Sequence, residues 1–599
     1  MDKLLDTINP ETAVSLSGLF YERVQRTPDN VAYRYYDNAT SSWAELTWRQ
    51  TAQQVARWVQ ALKNEGLNKG DRVALMLRNC PYWVIYEQAA LAAGLVIVPL
   101  YTNDRTENAV YIANDADVKV LLFETDEQWQ TLKPSLGELN SIKRFVSLDK
   151  VNDTSEGRLV YSDDWLPDTT PELSKPDIGK DELSSIVYTS GTTGRPKGVM
   201  LSHYNILSNA YASSQCDTFL TSDQFLSFLP LSHMFERTAG YYMPMIAGST
   251  INYARSIEQL AEDLVAIKPT VLVTVPRIFE RVYNKIHTQL AAKSPVAQKL
   301  FNAAVEIGWH KFLVRQKRAS WHPKLLLWPI LNILVAGKIM AKLGGNMRLA
   351  VSGGAPLTLN IAKTFIGLGL EISQGYGMTE LSPVVSTNRL SDNEPGSVGQ
   401  TLSGVEVKLG ERDELLVKGP NVMLGYWNNE QATKEILQAD GWLHTGDIAK
   451  IENEHIYITG RIKEIIVLAN GEKVPPTDAE MAIATDTLFE QVMVIGEGKA
   501  FLSAITVLNP DIWNDVAAQA GVDPNATESL NCEAVCKIVI DRIKEKMFEF
   551  PGYAKIVRVH NTLEPWTIED GLITPKMSLK RNKLADKYSK QIEKLYAGH

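Results

Sequence analysis

Apolar positions in the first part of the chain alternate between helical spacing and the short β-branched runs typical of strands. Residues 82–93 carry apolar side chains at helical spacing and are followed by the run 96–98. Comparable runs, each followed by glycine, proline or polar residues and then by a helical pattern, occur at 118–123, 185–189, 270–275 and 349–352. This alternation predicts an α/β fold with parallel sheets, in which ligands bind at the carboxyl ends of the strands.

The pattern changes near Pro395. Short strands bounded by turn residues, at 404–408 and 414–418, predict a small antiparallel β unit over about 395–459. After Gly460, mixed helix and strand patterns return and continue to the end of the chain. We therefore predict an N-terminal domain of residues 1–459, which includes this β-rich unit, and a smaller α+β C-terminal domain of residues 460–599.

Composition and charge exclude several classes of protein. The 599 residues are 45% hydrophobic and 22% charged, an ordinary balance for folded globular proteins but too long a chain for one core. The net charge of −9 provides no basic field for nucleic acid, so phosphate groups would have to bind at local sites. Among the four cysteines only Cys532 and Cys536 are close, and we interpret them as thiols and not as zinc ligands.

No segment has the features of an export signal or of a membrane span. Residues 1–20 mix charged side chains with short apolar pieces, and we expect a cytoplasmic protein with reduced thiols. The longest apolar runs, 89–100 and 325–336, are broken by Pro99 and by Pro329 with Asn332. We expect neither run to cross a bilayer, because a spanning helix needs about 20 residues.

Residues 307–370 contain no aspartate or glutamate. Two explanations stay open, a helical hairpin packed on the large domain with a solvated basic rim, or peripheral membrane contact through residues 311–348. The second explanation rests on tryptophans 321 and 328, on the apolar run 325–336, and on nine basic residues: Lys311, Arg315, Lys317, Arg318, Lys324, Lys338, Lys342, Arg348 and Lys363.

The segment 188–198 follows the predicted strand 185–189 and is the strongest local signal in the sequence. Its glycines allow backbone N–H groups to approach an anion closely, its hydroxyls add donors, and its lysine adds a positive charge. The spacing differs from the P-loop of nucleotide triphosphatases. We therefore predict a phosphate-binding loop that contains Thr189, Ser190, Gly191, Thr192, Thr193, Gly194 and Lys197.

Five segments together resemble the ANL adenylate-forming superfamily, which includes acyl-CoA synthetases, peptide-synthetase adenylation domains and luciferases. They are the loop 188–198, Ser-Gly-Gly-Ala-Pro at 352–356, Gln-Gly-Tyr-Gly-Met-Thr-Glu at 374–380, Trp-Leu-His-Thr-Gly-Asp at 442–447, and Gly-Arg-Ile-Lys-Glu at 460–464. They occur in the order of the family. The resemblance implies a large domain of two α/β subdomains with a β-barrel-like unit, a mobile C-terminal domain, and the use of ATP, Mg²⁺ and coenzyme A.

The resemblance also implies roles for single residues of this sequence. Glu380 would hold Mg²⁺, Thr379 would contact the α-phosphate, and Lys463 would be the hinge of the C-terminal domain. Gly471 would lie in the loop presented to coenzyme A. The remaining nucleotide contacts implied are Gly353, Gly354 and Ala355 beside adenine, Gln374, Gly375, Tyr376 and Gly377 with the tyrosine ring on adenine, and Asp447 and Arg461 on the ribose.

Two further segments resemble the long-chain fatty acyl-CoA synthetases within this superfamily. Ser-Phe-Leu-Pro-Leu-Ser-His-Met-Phe-Glu-Arg at 227–237 is followed by the apolar stretch 241–251. An acyl-chain tunnel needs apolar walls, which contribute roughly 0.8 kcal/mol per buried CH₂, and a polar mouth for the carboxylate. We expect 241–251 to line such a tunnel and His233 to lie at its mouth.

The chain departs from the family at one catalytic position. The family supplies a lysine to the α-phosphate from a Thr-Pro-x-x-Lys pattern, and Ser578 stands there in this chain. A hydroxyl lacks the positive charge that stabilises the transition state, so we expect Lys576 or, in preference, Lys580 to replace it. Strand alternation would place 576, 578 and 580 on one side.

Taken together, these motifs predict an ATP- and Mg²⁺-dependent ligase that activates a long-chain fatty acid to its coenzyme A thioester through an acyl-adenylate. Two alternatives stay open. One is a fatty acyl-AMP ligase that passes the adenylate to a carrier protein. The other is a non-catalytic protein that binds a nucleotide or an acyl chain, which the serine at position 578 would suit.

Overall fold

The computed structural model describes residues 5–153, 155–189, 195–548, 550–574 and 578–597. Its strands, in chain order, are β1 (Val31–Asp37), β2 (Ser42–Thr47), β3 (Arg72–Met76), β4 (Val96–Pro99), β5 (Val118–Phe123), β6 (Arg144–Ser147), β7 (Leu159–Tyr161), β8 (Leu183–Thr189), β9 (Lys197–Ser202), β10 (Gln224–Ser227), β11 (Thr250–Tyr253), β12 (Val271–Thr274), β13 (Leu349–Ser352), β14 (Ile372–Gly377), β15 (Val384–Thr387), β16 (Gln400–Thr401), β17 (Glu406–Leu409), β18 (Glu414–Lys418), β19 (Gly425–Tyr426), β20 (Leu443–Glu452), β21 (His455–Arg461), β22 (Ile466–Val467), β23 (Lys473–Val474), β24 (Phe489–Ile495), β25 (Leu502–Leu508) and β26 (Ile556–Thr562).

The α-helices of the described residues range from single turns to α12, which has 21 residues. They are α1 (Pro10–Ala13), α2 (Leu16–Arg26), α3 (Trp48–Asn64), α4 (Pro81–Ala92), α5 (Thr106–Asp115), α6 (Asp126–Leu132), α7 (Ser162–Trp165), α8 (His203–Ser214), α9 (Met243–Ala247), α10 (Leu260–Ile267), α11 (Pro276–Ala291), α12 (Pro295–Arg315), α13 (Trp328–Leu331), α14 (Gly337–Lys342), α15 (Leu359–Gly367), α16 (Glu430–Ile436), α17 (Pro476–Ala484), α18 (Pro510–Ala520), α19 (Glu533–Lys546), α20 (Arg581–Lys587) and α21 (Ser589–Tyr596).

Two large sheets form the frame of the N-terminal part. The nine-stranded sheet has the order β16-β15-β14-β13-β12-β10-β11-β1-β2, with a parallel centre from β14 to β1 and antiparallel edges. The eight-stranded sheet has the order β19-β9-β8-β4-β3-β5-β6-β7 and is parallel from β8 to β7. The largest buried cluster includes residues of both sheets and of α2, α3, α4 and α8. The predicted α/β class with parallel sheets is confirmed.

The later part of the chain contains the antiparallel strands, and then the mixed helices and strands, expected from its sequence. β17, β18, β20 and β21 form an antiparallel sheet from most of the predicted β-rich segment, whose short strands β16 and β19 join the two large sheets instead. From β22 onward the chain forms a mixed three-stranded sheet, β24-β25-β26, covered by helices and enclosing its own apolar cluster. The fold is therefore a large N-terminal part followed by a smaller α+β part.

The structure contradicts the expectation that a helix follows strand 185–189. β8 instead returns as the antiparallel strand β9, in which Val199 and Leu201 are buried and paired with β8. Pairing with β8 identifies β9 as a strand, and helix α8 begins only at His203. The predicted phosphate loop therefore closes a β hairpin, with Thr189 and Lys197 paired at its base.

The second apolar run is also longer than the sequence argument assumed. A continuous helical segment, Pro323–Lys342, has 20 residues. An 18-residue window within it has a mean hydropathy of 1.6, and 11% of that window is buried. By length and composition alone, the segment is long and apolar enough to cross a membrane. It continues through Asn332 because residues Asn332–Ala336 adopt a π-helical turn, and Pro329 lies in the first turn of α13, where no donor is lost. The prediction that this run is too short was wrong.

Candidate nucleotide-binding site

The first element of the site is the pair of neighbouring parallel strands β13 and β14. Ser352 and Gln374 lie side by side where the parallel pairing of the two strands ends. The Gln374 side chain accepts from the Leu357 backbone N–H at 3.0 Å and donates to the Ser397 carbonyl at 3.2 Å, so it fixes the loop 353–357 in place. Gln374 therefore supports the predicted adenine-side loop through its side chain.

Close packing explains two of the predicted glycines. A Cβ on Gly377 would lie 2.0 Å from the Pro383 carbonyl oxygen, and one on Gly353 would lie 2.9 Å from the Phe235 ring. Gly354 has a φ of +79°, which favours glycine. The Phe235 contact also brings the segment 227–237 against the loop that follows β13, and Ala355 lies in that loop.

Tyr376, Asp447 and Arg461 meet at the centre of the site. The Tyr376 hydroxyl donates to Asp447 Oδ2 at 2.5 Å, and Arg461 Nε donates to Oδ1 at 2.8 Å. Asp447 and Arg461 are register partners on β20 and β21, which explains how residues 14 positions apart meet. Burial raises the pKa of Asp447, and the Arg461 charge opposes that rise.

A second group surrounds Glu380. Thr379 and Glu380 lie buried in the short 3-10 helix Thr379–Leu381. The Tyr426 hydroxyl donates to Glu380 Oε1 at 2.8 Å, and the Lys197 ammonium lies 5.0 Å from the centre of the Tyr426 ring. β19, which carries Tyr426, pairs with β9, which carries Lys197, so the sheet register brings these residues to the end of the phosphate hairpin.

Tyr426 is a site residue that the sequence analysis missed. It lies in Gly-Tyr-Trp at 425–427, outside the recognised motifs. The signal that could have identified it is Gly425, whose φ of +136° and contact with Thr433 require glycine. The pKa of the Tyr426 hydroxyl is raised by burial and by the adjacent Glu380 carboxylate, so the phenol stays a donor.

Five residues of the predicted phosphate loop, Ser190, Gly191, Thr192, Thr193 and Gly194, lie outside the described residues. The two residues that frame the loop are described. Thr189 ends β8 and Lys197 begins β9. Because β8 and β4 are parallel neighbours, the loop leaves the sheet at the same edge as the segment 100–105.

The segment that contains His233 lies beside this centre. His233 Nδ1 accepts from the Phe235 backbone N–H at 3.0 Å, so that nitrogen is not protonated in this arrangement. The next acidic residue, Glu236, is 1% exposed, and its Oε1 accepts from the Ser227 hydroxyl at 2.6 Å. Burial raises the pKa of Glu236 to about 8.

The apolar stretch 241–251 is buried as a unit. Tyr241 and Tyr242 stack on each other with ring centres 4.4 Å apart in the principal core. Beneath them lies a buried ion pair that the sequence did not indicate, between Arg237 and Glu87, to which the Tyr242 hydroxyl also donates at 2.8 Å. Arg237 further donates to the Ser185 hydroxyl on β8 at 2.7 Å, which ties this segment to the strand that carries the phosphate loop.

The C-terminal residues occupy three places. Lys463 is exposed directly after β21, and Gly471 has a φ of +86° in the turn between β22 and β23. Lys576 lies outside the described residues. Burial lowers the pKa of the Lys580 ammonium, as do the nearby charges of Lys583 and Arg105. Arg105 follows β4, the parallel neighbour of β8, so the Lys580 ammonium is near a cation of the large part.

The strand alternation expected for 576, 578 and 580 includes Lys576, which lies outside the described residues. The Thr574 backbone N–H donates to the Ser578 carbonyl, and the Ser578 N–H donates to the Thr574 hydroxyl. The Lys580 N–H donates to the Leu572 carbonyl.

Comparison with protein families identifies the family of this chain. The model described as "AMP-binding enzyme" matches residues 20–427, and the one described as "AMP-binding enzyme C-terminal domain" matches residues 463–599. The chain belongs to the AMP-binding enzymes. This is the ANL adenylate-forming superfamily that the motifs indicated, and its adenylating members use ATP, Mg²⁺ and coenzyme A.

Relatives of this AMP-binding enzyme cover nearly its whole length. The long-chain-fatty-acid–CoA ligase FadD15 of Mycobacterium bovis is 30% identical, with 97% of each chain covered. Long-chain-fatty-acid–CoA ligase 5 of Mus musculus is 31% identical over 96% of this chain and 88% of its own. The chloroplastic long-chain-fatty-acid–acyl-carrier-protein ligase AEE15 of Arabidopsis thaliana is 28% identical over 92% and 83%.

Solved structures share the fold. The anthranilate CoA ligase AuaEII, in complex with anthranoyl-AMP, superposes with a TM-score of 0.73 at 20% identity, with 97% of this chain and 98% of that chain covered. At this identity the likeness shows the architecture alone. It confirms the predicted class, a large N-terminal part and a smaller C-terminal part of the adenylating type.

Proposed function

We propose that this AMP-binding enzyme is a long-chain fatty acid–CoA ligase that works through an acyl-adenylate. The observation that carries the proposal is the convergence of Tyr376, Asp447 and Arg461 next to Glu380, Tyr426 and Lys197. The first group offers an aromatic surface and paired charges for a nucleoside. The second offers a carboxylate and an ammonium for its phosphates.

The nucleotide contacts follow from this geometry. Asp447 would accept hydrogen bonds from the ribose hydroxyls while Arg461 keeps its carboxylate ionised against the effect of burial. Thr379 would donate to the α-phosphate. The Tyr376 ring and the backbone of 353–355 would enclose adenine, and the loop 189–197 would hold the β- and γ-phosphates with the Lys197 charge.

Glu380 fits Mg²⁺. The Tyr426 hydroxyl donates to Glu380 Oε1, and none of the residues that the structure describes donates to Glu380 Oε2. One buried carboxylate oxygen together with substrate phosphates is the usual way in which Mg²⁺ is bound at nucleotide sites. The ion would neutralise the charge that the phosphate oxygens share during the reaction.

In the first half-reaction, a fatty acid carboxylate oxygen attacks the α-phosphorus of ATP. The bond from that phosphorus to the bridging oxygen breaks, and pyrophosphate leaves with the electron pair. The transition state gains negative charge on the α-phosphate oxygens, which a nearby lysine can stabilise. We assign this role to Lys580, because its ammonium is near Arg105, which follows β4, the parallel neighbour of β8.

In the second half-reaction, the coenzyme A thiolate attacks the acyl carbon of the adenylate. The bond from that carbon to the phosphate oxygen breaks, and AMP leaves. The catalytic lysine must withdraw to admit the thiol, so the C-terminal part would swing about Lys463 and present the turn at Gly471. The exposed position of Lys463, directly after β21, supports this role.

The long-chain substrate is proposed on two grounds. Relatives of nearly equal length are named for long-chain fatty acids. The segment 227–237 lies against the adenine-side loop through Phe235, which would place an acyl carboxylate near His233 beside the α-phosphate. The stretch 241–251 would then back the acyl chain. A cytoplasmic location follows the four free cysteines, which suit a reducing compartment.

The carrier-protein ligase is the second candidate, because the AEE15 relative carries that name. The test supplies ATP, Mg²⁺ and palmitate with either coenzyme A or a phosphopantetheinylated acyl carrier protein, and measures the thioester by mass. Our proposal predicts palmitoyl-CoA. Acylated carrier protein without palmitoyl-CoA would favour the carrier-protein ligase. If pyrophosphate is released with neither acceptor, a non-catalytic binding protein is favoured.

The assignment of Lys580 has its own test. Lys580→Ala should slow pyrophosphate release by about a hundredfold, the scale of a lost transition-state charge contact. Lys590→Ala, an exposed lysine on α21, is the matched control and should leave the rate unchanged. If Lys576→Ala abolishes adenylate formation and Lys580→Ala does not, Lys576 is the catalytic lysine instead.

A further inference from the structure

The outer face of the helical segment Pro323–Lys342 carries five exposed apolar side chains. They are Leu326, Leu327, Ile330, Ile333 and Leu334, and two of them are 71% exposed. No other stretch of nine residues among those the structure describes has more than two exposed large apolar side chains. A cluster of this kind, unlike scattered surface residues, indicates an interaction surface. We call it the outer face.

The inner side of the same segment is already packed. Leu331 and Ala336 are buried, and Trp328 lies against Gly308 of α12, where a Cβ would come within 2.6 Å of the indole. Lys311 covers the Trp328 ring at 5.2 Å. The segment is therefore anchored along its length on α12, which holds the outer face parallel to the surface of the enzyme.

The charged residues of the segment Pro323–Lys342 are all lysines. Four of the nine basic residues in the acid-free span have carboxylate partners outside it: Arg315 with Glu371, Arg318 with Asp392 and Glu394, Arg348 with Asp223, and Lys363 with Glu306. The other five have no carboxylate within 4.0 Å among the residues that the structure describes. They are Lys311, Lys317, Lys324, Lys338 and Lys342. Three of these, Lys324, Lys338 and Lys342, belong to the segment itself.

We propose that the outer face is a monotopic docking surface for a membrane leaflet rich in anionic lipid. The five apolar side chains would enter the boundary between headgroups and acyl chains, and the lysines around them would contact lipid phosphates. Lysines near such a surface favour binding through their attraction to anionic headgroups. The segment would lie in the plane of the interface, because its inner side is held by α12.

Charge opposes the main competing occupant, a second copy of the chain. In a two-fold dimer the same patch would face itself, so the three lysines of the segment would meet three more. Like charges brought together across an interface oppose association. An anionic lipid surface complements both the apolar centre and the basic border.

The docking surface would bring the enzyme to a membrane without changing its chemistry. The test uses the full chain with extruded vesicles of two compositions. One is phosphatidylcholine alone, and the other contains about 30% phosphatidylglycerol, which is on the order of the anionic lipid fraction of natural leaflets. Sedimentation should show at least about tenfold more bound enzyme on the anionic vesicles at low salt, and added salt should reduce that binding.

Two double variants separate the parts of the proposal. Ile330→Glu with Ile333→Glu, and separately Lys324→Glu with Lys338→Glu, should each reduce binding to anionic vesicles by about tenfold or more. Their controls are Ile257→Glu, at another exposed isoleucine, and Lys537→Glu with Lys555→Glu on the C-terminal part. All variants should keep the thermal unfolding temperature and the activity on palmitate dispersed in detergent.

Three results would overturn the proposal. Equal binding by the isoleucine double variant would exclude the outer face as the contact. Equal binding to neutral and anionic vesicles would exclude the lipid charge. A concentration-dependent dimer in light scattering that the isoleucine variant abolishes would show that a second copy of the chain covers this face.

Discussion

At the scale of single residues, the site contains buried carboxylates with different partners. Asp447 is held between a cation and a phenol. Glu380 accepts from the Tyr426 hydroxyl. Glu236 accepts from the Ser227 hydroxyl, and its Oε2 has no hydrogen-bond partner among the described residues. Burial raises the pKa of Glu236 to about 8, which favours its protonated form near neutral pH.

Replacing Asp447 by asparagine tests the ribose contact. Asp447→Asn keeps the size of the side chain but removes the charge that orients Arg461. We expect kcat/KM for ATP to fall by about ten- to a hundredfold, the scale of a lost charge-assisted hydrogen bond. Initial rates of pyrophosphate release measure it. Asp440→Asn, an exposed site seven residues earlier, should not change kcat/KM. An unchanged KM and kcat in Asp447→Asn would remove Asp447 from the nucleotide site.

The pKa of Glu236 predicts a pH dependence of stability. In the unfolded chain this carboxyl group loses its proton near its ordinary value of 4.5, whereas in the fold it does so at about 8. The unfolded state therefore binds fewer protons between those values, so the contribution of Glu236 to stability falls as pH rises from 4.5 to 8 and is constant outside that window.

Glu236→Gln removes this titration and nearly preserves the shape of the side chain. Relative to the parent, its unfolding temperature should rise by a few degrees more at a pH above 8 than at pH 5, when unfolding is followed by differential scanning fluorimetry. Glu593→Gln, at an exposed glutamate of α21, should show the same small shift at both pH values. An equal shift for Glu236→Gln at both values would contradict a raised pKa.

At the scale of elements, the sequence predicted five strands of the large sheets, β4, β5, β8, β12 and β13, and two of the antiparallel β unit, β17 and β18, because β-branched runs and turn residues mark them locally. The hairpin of β8 and β9 was not predicted, since its second strand is recognised only by pairing with its neighbours. The motifs identified Asp447, Arg461 and Tyr376. They did not identify Tyr426, because sheet register brings it to Glu380 and no local pattern predicts that register. The length of Pro323–Lys342 was missed because a π-helical turn carries the helix through Asn332.

Contact between α12 and α15 gives a prediction at this scale. A Cβ on Gly308 would lie 1.8 Å from the Gly367 carbonyl oxygen, and the neighbouring backbone cannot move away as a flexible side chain would. Gly308→Ala should therefore lower the free energy of unfolding by about 1–3 kcal/mol, despite the better helix propensity of alanine. Urea unfolding measures the change. Gly137→Ala, where nothing lies within 4 Å, should be close to neutral. A neutral Gly308→Ala would mean that the two helices do not pack this closely.

At the scale of the whole molecule, the proposed function requires two half-reactions to share one site. The C-terminal part has its own core, and contacts the large part through pairs such as Arg277 with the Glu490 carbonyl at 3.4 Å. The influence of Arg105 on Lys580 in this arrangement is consistent with the role proposed for Lys580 in adenylate formation. The proposed thioester formation requires a second arrangement, and Lys463 is the residue proposed to permit it.

A proline at the hinge tests this division. Lys463→Pro fixes φ near −65° and restricts the rotation that the swing requires. We expect pyrophosphate release without coenzyme A to stay within about threefold of the parent and palmitoyl-CoA formation to fall by about tenfold or more. Lys463→Ala, which leaves φ free, should retain both rates. If Lys463→Pro forms the thioester at the parental rate, the swing does not pass through this residue.

The stoichiometry of products tests the central claim most directly. With ATP, Mg²⁺, palmitate and coenzyme A, AMP, pyrophosphate and palmitoyl-CoA should appear in equal amounts. Omitting coenzyme A should leave an enzyme-bound palmitoyl-adenylate with no thioester. Formation of ADP and inorganic phosphate, or of no product from ATP, would contradict an AMP-forming acid–thiol ligase.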